Sequence, residues 1–448
     1  MPSSSLQRPE RPTPAESADD IDVIVPEFNE LSRRPERFDA QVAYFVDLAR
    51  WFNVILVDDA STDGSWERLV ELNARSGSRL RLLRMESNGQ KVKAVERAVN
   101  VSRAEFVLLT DFDSNVMRPD KLPRALRKFR ADPDLASVSL RLIPEGRSFF
   151  SRLQDIEYAM GRAVFCRYML SQRKLRCVSG AAGMWRRKVL QEVLGEHSGR
   201  HNGDDFEATA IAMRMGHTMA YEKSIVVETF APQNPRDFFR QRSRWELGAL
   251  ETYEKENRFY LGQIRDLRSK LGHVTIFDWY TWLTALTLPL FLVNGLLNHA
   301  VFEVYAIVQG SLTATAGYLS RNEVRSRRDF MLLPIFPFYT FFATTPRFAA
   351  IYRFLRERKE RRMSALPPRA LLARPWPAGG RAFGATAALR GPSARVQLAS
   401  IPPEAGVREP RLPFAPVPPL EVSAGPGRCL LSPCQPDAAV PRQRFDLR

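Results

Sequence analysis

Short apolar runs of strand length punctuate the first half of the chain, each followed by acid-rich polar residues and then by a segment of helical spacing. Residues 21–25 predict a first strand, broken at Pro26 into the loop Glu27-Phe28-Asn29-Glu30. Phe38, Val42, Phe45, Val46 and Ala49 recur at helical intervals and predict a helix over 37–50. A second strand at 53–57 ends in Asp58-Asp59-Ala60-Ser61-Thr62-Asp63-Gly64-Ser65, followed by a helix at 66–75, a strand at 79–85 and a helix at 91–101. The apolar run 106–110 ends abruptly in two acids, Asp111 and Asp113. Beyond it the pattern predicts a surface helix at 121–130, a strand at 135–142, a long amphipathic segment at 151–170 and a small-residue run at 177–185. A helix running from Asp204 and Asp205 to about Met215, a short strand at 225–228 and a helix at 235–251 complete the series. Alternating strands and helices predict an α/β fold on a parallel sheet with right-handed crossovers.

From Trp279 the pattern changes. Residues 279–300 carry no charge and are long enough to span a bilayer, and 301–319 carry only Glu303. The two predict a membrane hairpin with its outer turn at 298–303. Residues 330–352 are apolar but interrupted by Pro334, Pro337, Pro346 and Arg347, which predicts a kinked or interfacial segment. Basic clusters at 321–328 and 353–362 both favour the cytoplasmic side and so an even number of crossings. The expected domains are a disordered 1–20, a catalytic α/β domain at 21–255, an interfacial linker helix at 256–278, a membrane region at 279–352 and a disordered Pro- and Arg-rich tail at 363–448.

Composition sharpens this picture. The 448 residues are 44% hydrophobic, enough for one large core. A net charge of +16 favours an anionic partner, either a membrane surface or a nucleotide substrate. No nucleic-acid-binding motif accompanies it, and much of the positive charge lies beside the apolar segments or in the tail, which argues against nucleic acid. Four cysteines without metal spacing fit a reduced cytosol. The first 20 residues have no apolar core of a signal peptide.

Acids at strand ends are the candidate chemistry, because carboxylates beyond a buried strand can hold a divalent cation through oxygen. An isolated Asp-x-Asp is as readily a solvated turn. Asn88-Gly89-Gln90-Lys91 opens a helix, where a phosphate can sit, although standing alone it reads more readily as an ordinary Asn-Gly turn with a solvated lysine. Acids at the start of the helix after Gly203 also oppose the helix dipole, a purely structural role. Gln241, Arg244 and Trp245 share one helix face, suited to a diphosphate and a sugar ring, though in isolation such a face reads more readily as a packed surface ion-pair helix.

Taken in order, Pro26-Glu27-Phe28-Asn29-Glu30, the Asp58–Ser65 run, Asp111-Phe112-Asp113, Gly203-Asp204-Asp205 and Gln241-Arg242-Ser243-Arg244-Trp245 resemble the motifs of family 2 glycosyltransferases, most of all the membrane-embedded branch of cellulose, chitin and hyaluronan synthases. The resemblance covers about 21–352. It implies a GT-A type nucleotide-sugar-binding domain followed by transmembrane or interfacial helices. It further implies that Glu30, Asp58, Asp59, Lys91 and Asp111 bind the nucleotide-sugar and that Asp111 and Asp113 bind Mg²⁺ or Mn²⁺. Asp205 would be the general base, and Asp204, Gln241, Arg244 and Trp245 would serve the diphosphate and acceptor. Gln90 stands where the family usually has Gly. The expected function is inverting transfer from a UDP-sugar to a β-linked polysaccharide, on the cytoplasmic side of the plasma or inner membrane, with a membrane subunit as a possible partner. A non-processive transferase acting on a lipid or short acceptor is the rival, favoured by the lack of apolar spans ahead of residue 21. An inactive assembly partner is the rival of another class, and it would be expected to lack one of the acids.

Overall fold

The computed structural model describes residues 20–77, 80–200 and 202–364; the segments expected to be disordered, 1–20 and 363–448, lie outside the described residues except for residue 20 and residues 363–364, the last two ending a helix. The chain opens with β1 (Ile21–Glu27), α1 (Glu30–Arg33), α2 (Pro35–Leu48), β2 (Asn53–Asp58), α3 (Ser65–Ser76), β3 (Arg81–Arg84), α4 (Gln90–Val101) and β4 (Phe106–Leu109). It continues with β5 (Ser114–Val116), α5 (Pro123–Ala131), β6 (Leu135–Pro144), α6 (Phe149–Gly161), α7 (Arg167–Leu170), β7 (Gly183–Arg186), α8 (Arg187–Glu196) and α9 (Asp204–Arg214). The last elements are β8 (Thr218–Thr229), α10 (Pro235–Lys255), α11 (Asn257–Arg265), α12 (Lys270–Leu297), α13 (His299–Ser320), α14 (Phe336–Thr344) and α15 (Pro346–Ser364).

The eight strands form one sheet in the order β3-β2-β1-β4-β7-β6-β8-β5. Pairings β1–β2, β2–β3 and β1–β4 are parallel, as the alternating pattern predicts. The second half departs from that expectation: β7 enters antiparallel between β4 and β6, and β5 is antiparallel to β8. The small-residue run before β7 permits this insertion. A Cβ on Gly183 would lie 2.8 Å from the Ser179 carbonyl and 2.9 Å from Val178. Strand β8 also starts seven residues before the expected 225, because its first half, Thr218–Ser224, is too polar to read as a strand.

Alternation along the central strands covers both faces of the sheet. Ile24, Ile55, Val57 and Val107 point to a layer containing Val92, Val95 and Val99 of α4 and Ile211 of α9. Ile21, Val23, Val25, Val54 and Leu56 point the other way, onto Phe38, Val42 and Phe45 of α2 and Leu126 and Phe129 of α5. Strands so covered must be apolar throughout, and polar residues therefore begin only at their ends. Because β2 lies on one side of β1 and β4 on the other, the order reverses between β1 and β4. That crevice is where open α/β sheets take ligands.

After α11 the chain becomes strongly apolar and exposed. Among the described residues no single helix is long and apolar enough to cross a membrane. The expected span at 279–300 falls in α12, whose limbs 270–287 and 289–297 meet at a 57° bend and are long and apolar enough to cross a membrane only when taken together. Pro289 lies at the bend, since it removes a helical hydrogen bond. The weaker expected span is α13, and the expected kinked segment is split into a 3₁₀ turn, α14 and α15. The return path after α13 is tied to the α/β domain: buried Asp329 meets Arg147 at 3.0 Å and Arg152 at 2.7 Å, and the Arg325 amide donates to Asp155 at 2.7 Å.

Helix α10 lies against the start of α9 through paired glycines, a Cβ on Gly248 falling 2.4 Å from the backbone of Asn202 and Gly203. Gly248→Ala is therefore expected to force the two helices apart and cost about 1–3 kcal/mol. Urea unfolding checks this, and an unchanged midpoint would contradict the close approach.

Candidate active site

Loops after β1, β2 and β4 and the first turns of α4 and α9 meet at the crevice. Lys91, in the first turn of α4, reaches Asp111 Oδ1 at 2.7 Å and Asp204 Oδ2 at 3.4 Å. Burial alone would lower its pKa, but Asp111, then Asp204 and Asp205, hold it above the ordinary lysine value. Asp205 Oδ2 accepts the Gly180 amide at 3.1 Å, Oδ1 accepts the Phe206 amide at 2.8 Å, and the Cys177 thiol bonds the same carboxylate. Burial and the neighbouring Asp204 push Asp205 above the usual aspartate range, with Lys91 opposing. The 177–185 run is small here for a second reason: a Cβ on Gly180 would stand 3.0 Å from Lys91 Nζ and 3.5 Å from Asp205 Cβ.

The second acid of the Asp-x-Asp pair faces differently. Phe112 between them is buried against Phe38 and Phe45, which turns Asp111 and Asp113 outward from the strand end. Asp113 Oδ2 meets Arg34 Nη1 at 2.9 Å, and the same nitrogen is 3.3 Å from Glu30 Oε2. Burial and then Asp111 raise the Asp113 pKa against the pull of Arg34. Its carbonyl accepts the Phe230 amide at 3.1 Å, which joins the loop to the end of β8. Glu30 thus lies beside Asp113.

Asp58 and Asp59 close the other end of the crevice. Asp58 is fully buried, accepts the Ser61 amide at 3.2 Å and stands 3.4 Å from Arg84. Asp59 takes the Gly89 amide at 2.8 Å, pinning the turn that opens α4. In that turn Gln90 has φ +65°, a left-handed conformation that costs a non-glycine residue about 1–2 kcal/mol. The glycine usual at this position in the resembled family has a plain physical reason.

Opposite Asp58 in the β1–β2 register is Glu27, which sequence reasoning passed over in favour of Glu30. Glu27 is 2% exposed, accepts the Glu30 amide at 2.9 Å and the Ser61 hydroxyl at 3.2 Å, and bonds Asp58. Burial first, with Asp58 adding to it, pushes its pKa up to about 8. Its place as the last residue of a buried strand was the available signal.

On α10 the shared face expected for Gln241, Arg244 and Trp245 is only partly turned inward. Gln241 Oε1 is buried with no hydrogen-bond partner, whereas Arg244 and Trp245 are exposed, Trp245 by 38%. The inward guanidinium is Arg242, which forks onto Glu157 at 2.6 and 2.7 Å and covers the Trp245 ring at 4.7 Å. Helical spacing says which residues share a face, but neighbouring packing decides which face turns in.

Chemically, the crevice offers a positioned, partly desolvated carboxylate in Asp205, a cationic lysine beside it, and hard oxygen donors at Asp111 and Asp113. Among the described residues no group of three or more His, Cys, Asp or Glu side chains is gathered as a metal cage. Two carboxylates still suit Mg²⁺ or Mn²⁺, which commonly bind through one or two carboxylates completed by substrate phosphates.

A family profile described as "Glycosyltransferase like family 2" matches residues 18–248. The chain is 28% identical over 252 residues to an N-acetylglucosaminyltransferase of Rhizobium meliloti, covering 52% of this chain and 55% of that protein. It is 30% identical over 99 residues to a dolichyl-phosphate beta-glucosyltransferase of Dictyostelium discoideum, covering 21% of this chain and 30% of that protein. It thus spans about half or less of the length of these curated relatives. Among solved structures, a mannosyltransferase from Pyrobaculum calidifontis in complex with GDP-Man and Mn²⁺ is similar at a TM-score of 0.45 and 20% identity, covering 78% of this chain and 91% of that one.

Glu27 gives the site a pH signature. Its folded pKa of about 8 stands above the ordinary 4.5, so its contribution to stability is complete below about pH 4.5 and is lost as pH rises through 8. Each unit of that displacement is worth about 1.4 kcal/mol. Glu27→Gln keeps a neutral hydrogen-bonding group and is expected to flatten the fall in melting temperature between pH 5 and 9. Parallel wild-type and variant profiles would show that Glu27 does not carry the effect.

Proposed function

This chain belongs to glycosyltransferase-like family 2, and from that premise we propose that it is an inverting, metal-dependent hexosyltransferase that moves a sugar from a UDP-sugar to a growing β-linked polysaccharide. The observation that carries the reading is the cluster of Lys91, Asp111, Asp204 and Asp205 at the strand-reversal point, with Asp205 held by the Gly180 amide. The relative named an N-acetylglucosaminyltransferase supports a hexosamine as one donor to test.

In this mechanism Asp205 is the base. The acceptor hydroxyl attacks the anomeric carbon opposite the leaving nucleotide, its proton passes to Asp205, and the anomeric C–O bond breaks with its electron pair leaving on the diphosphate. One carboxylate suffices for a single displacement with inversion. Desolvation beside Asp204 makes Asp205 a stronger base than a solvated aspartate. Lys91 keeps its charge next to Asp111, where a diphosphate would gather negative charge. When bound at Asp111 and Asp113, Mg²⁺ or Mn²⁺ would supply Lewis-acid stabilisation of the leaving diphosphate. Asp58, Asp59 and Glu30 would receive the uridine end, and Asp204, Arg244 and Trp245 would serve the diphosphate and the acceptor. Gln241 would join them, its side-chain oxygen being buried without a hydrogen-bond partner among the described residues.

We further place the chain at the plasma or inner membrane, with the catalytic domain cytoplasmic and residues 279–352 held in or on the bilayer. Leu290 and Leu296 of α12 are exposed by 72% and 73%, and Ile307 of α13 by 69%. So many exposed apolar side chains on adjoining helices exceed what a water-facing surface carries. Arginines of α15, such as Arg353 and Arg356, suit the anionic cytoplasmic leaflet. The dolichyl-phosphate relative favours a second reading, transfer of one sugar to a lipid phosphate.

Full-length protein in detergent, given Mg²⁺ or Mn²⁺ and a panel of radiolabelled UDP-sugars, separates the readings. A high-molecular-weight product from one donor is expected. A single labelled sugar on lipid would replace the polymer reading with the second one, and no turnover with any donor would count against both. Asp205→Asn is expected to lower kcat by about 10²–10⁴-fold while UDP affinity holds. A variant that remains active would remove Asp205 as the base.

A further inference from the structure

Each acid of the Asp-x-Asp pair is already matched by a cation from the chain itself. Lys91 holds Asp111 at 2.7 Å, and Arg34 holds Asp113 at 2.9 Å. Arg34 is the less expected of the two. It sits in the short turn between α1 and α2, where its amide donates to the Glu30 carbonyl at 2.9 Å. Its guanidinium also reaches Glu30 Oε2 at 3.3 Å and lies over the Phe230 ring with its carbon 4.5 Å from the centroid. Phe230 is in turn fixed by its amide to the Asp113 carbonyl. The guanidinium is therefore seated by a carboxylate pair and an aromatic face, three-quarters buried, at the carboxylate that a divalent ion would use.

We propose that Arg34 is a built-in placeholder for the divalent cation: it competes with the ion for Asp113, and the ion gains that carboxylate only as the guanidinium leaves it. This rests on the reading of Asp111 and Asp113 as the metal ligands. The physical ground is like-charge exclusion, since a dication on Asp113 within a few ångströms of a guanidinium is repelled at short range and in a partly desolvated setting. The placeholder keeps Asp113 ordered and its charge compensated before substrate arrives. It also sets the affinity of the empty cleft for free ions below what the bare carboxylates would give. Five neighbouring carboxylates, Glu30, Asp111, Asp113, Asp204 and Asp205, interact with these two cations, so the excess of negative charge that attracts an ion persists while Arg34 is in place.

Mn²⁺ binding to the purified full-length protein without nucleotide tests this, with free Mn²⁺ measured by electron paramagnetic resonance. Arg34→Gln is expected to bind Mn²⁺ about ten-fold more tightly than wild type. Arg34→Lys keeps the charge but loses the planar stack on Phe230, and is expected to tighten binding by a smaller factor, about two- to five-fold. It carries the test if the Gln variant does not fold. Arg37→Gln is the control, because Arg37 also lies over Phe230, at 4.9 Å, but pairs with Glu145 instead of Asp113. Its affinity should match wild type. Saturable binding that is equal or weaker in the Arg34 variants overturns the placeholder alone, as does an equal gain in Arg37→Gln. Absence of saturable Mn²⁺ binding in every protein overturns the metal reading of the aspartates and the placeholder with it.

Discussion

The architecture of the cleft depends on one ammonium group. Lys91 lies between Asp111, at the end of a central strand, and Asp204, at the start of α9, and those acids would otherwise repel one another across a partly desolvated gap. Its position follows from backbone constraints: the Gly89 amide is pinned to Asp59, the left-handed Gln90 turns the chain, and Lys91 then emerges from the first turn of α4. Three segments far apart in sequence are tied by charge because β2, α4, β4 and α9 converge there. A buried group of acids left without its cation loses far more than a surface pair would. The small residues 179–183 add to the constraint, since a Cβ at Gly180 would come within 3.0 Å of the same ammonium and require it to shift.

Two supports of different kind carry the acids. Asp58, Asp111 and Asp113 project from ends of strands whose apolar residues are covered on both faces, so their positions are as rigid as the sheet. Asp204 and Asp205 begin a helix whose dipole favours negative charge at that end, and whose placement relies on Gly203 meeting Gly248 of α10. The helix-borne pair Asp204 and Asp205 and the strand-end acids Asp58, Asp111 and Asp113 are thus set by separate packing interfaces. Lys91 is where the two interfaces are brought into register.

Much of this was legible because it rests on periodicity. The runs 21–25, 53–57 and 106–110 became β1, β2 and β4 with small shifts at their ends, since strands buried on both faces leave no other residue choice. Lys91 lies against Asp111 at the end of β4 and Asp204 at the start of α9. What escaped depended on contacts between distant residues. The antiparallel entry of β7 follows from close packing at Gly183, and the polar first half of β8 pairs with β6 despite its composition. Glu27, Arg34 and Arg242 are ordinary charged residues in sequence, and only the neighbours Asp58, Asp113 and Glu157 give them a role. The stretch 279–300, expected to span on length and lack of charge, lies in a helix bent by 57° at Pro289, a bend that composition alone does not show.

Global and local charge point in opposite directions here, and the local one governs the chemistry. The whole chain carries +16, but the cleft gathers five carboxylates around two cations. If Asp111 and Asp113 hold a divalent ion as proposed, a nucleoside diphosphate alone would be repelled by that cleft, and the ion alone would meet side chains that already compensate those carboxylates. Under the proposed reading each partner removes the other's obstacle: the ion screens the diphosphate from the acids, and the phosphate oxygens supply donors that two carboxylates cannot. Binding of the two is then coupled, and by linkage the coupling is reciprocal, so whatever strengthens the hold of Arg34 on Asp113 must weaken the cleft for ion and donor together.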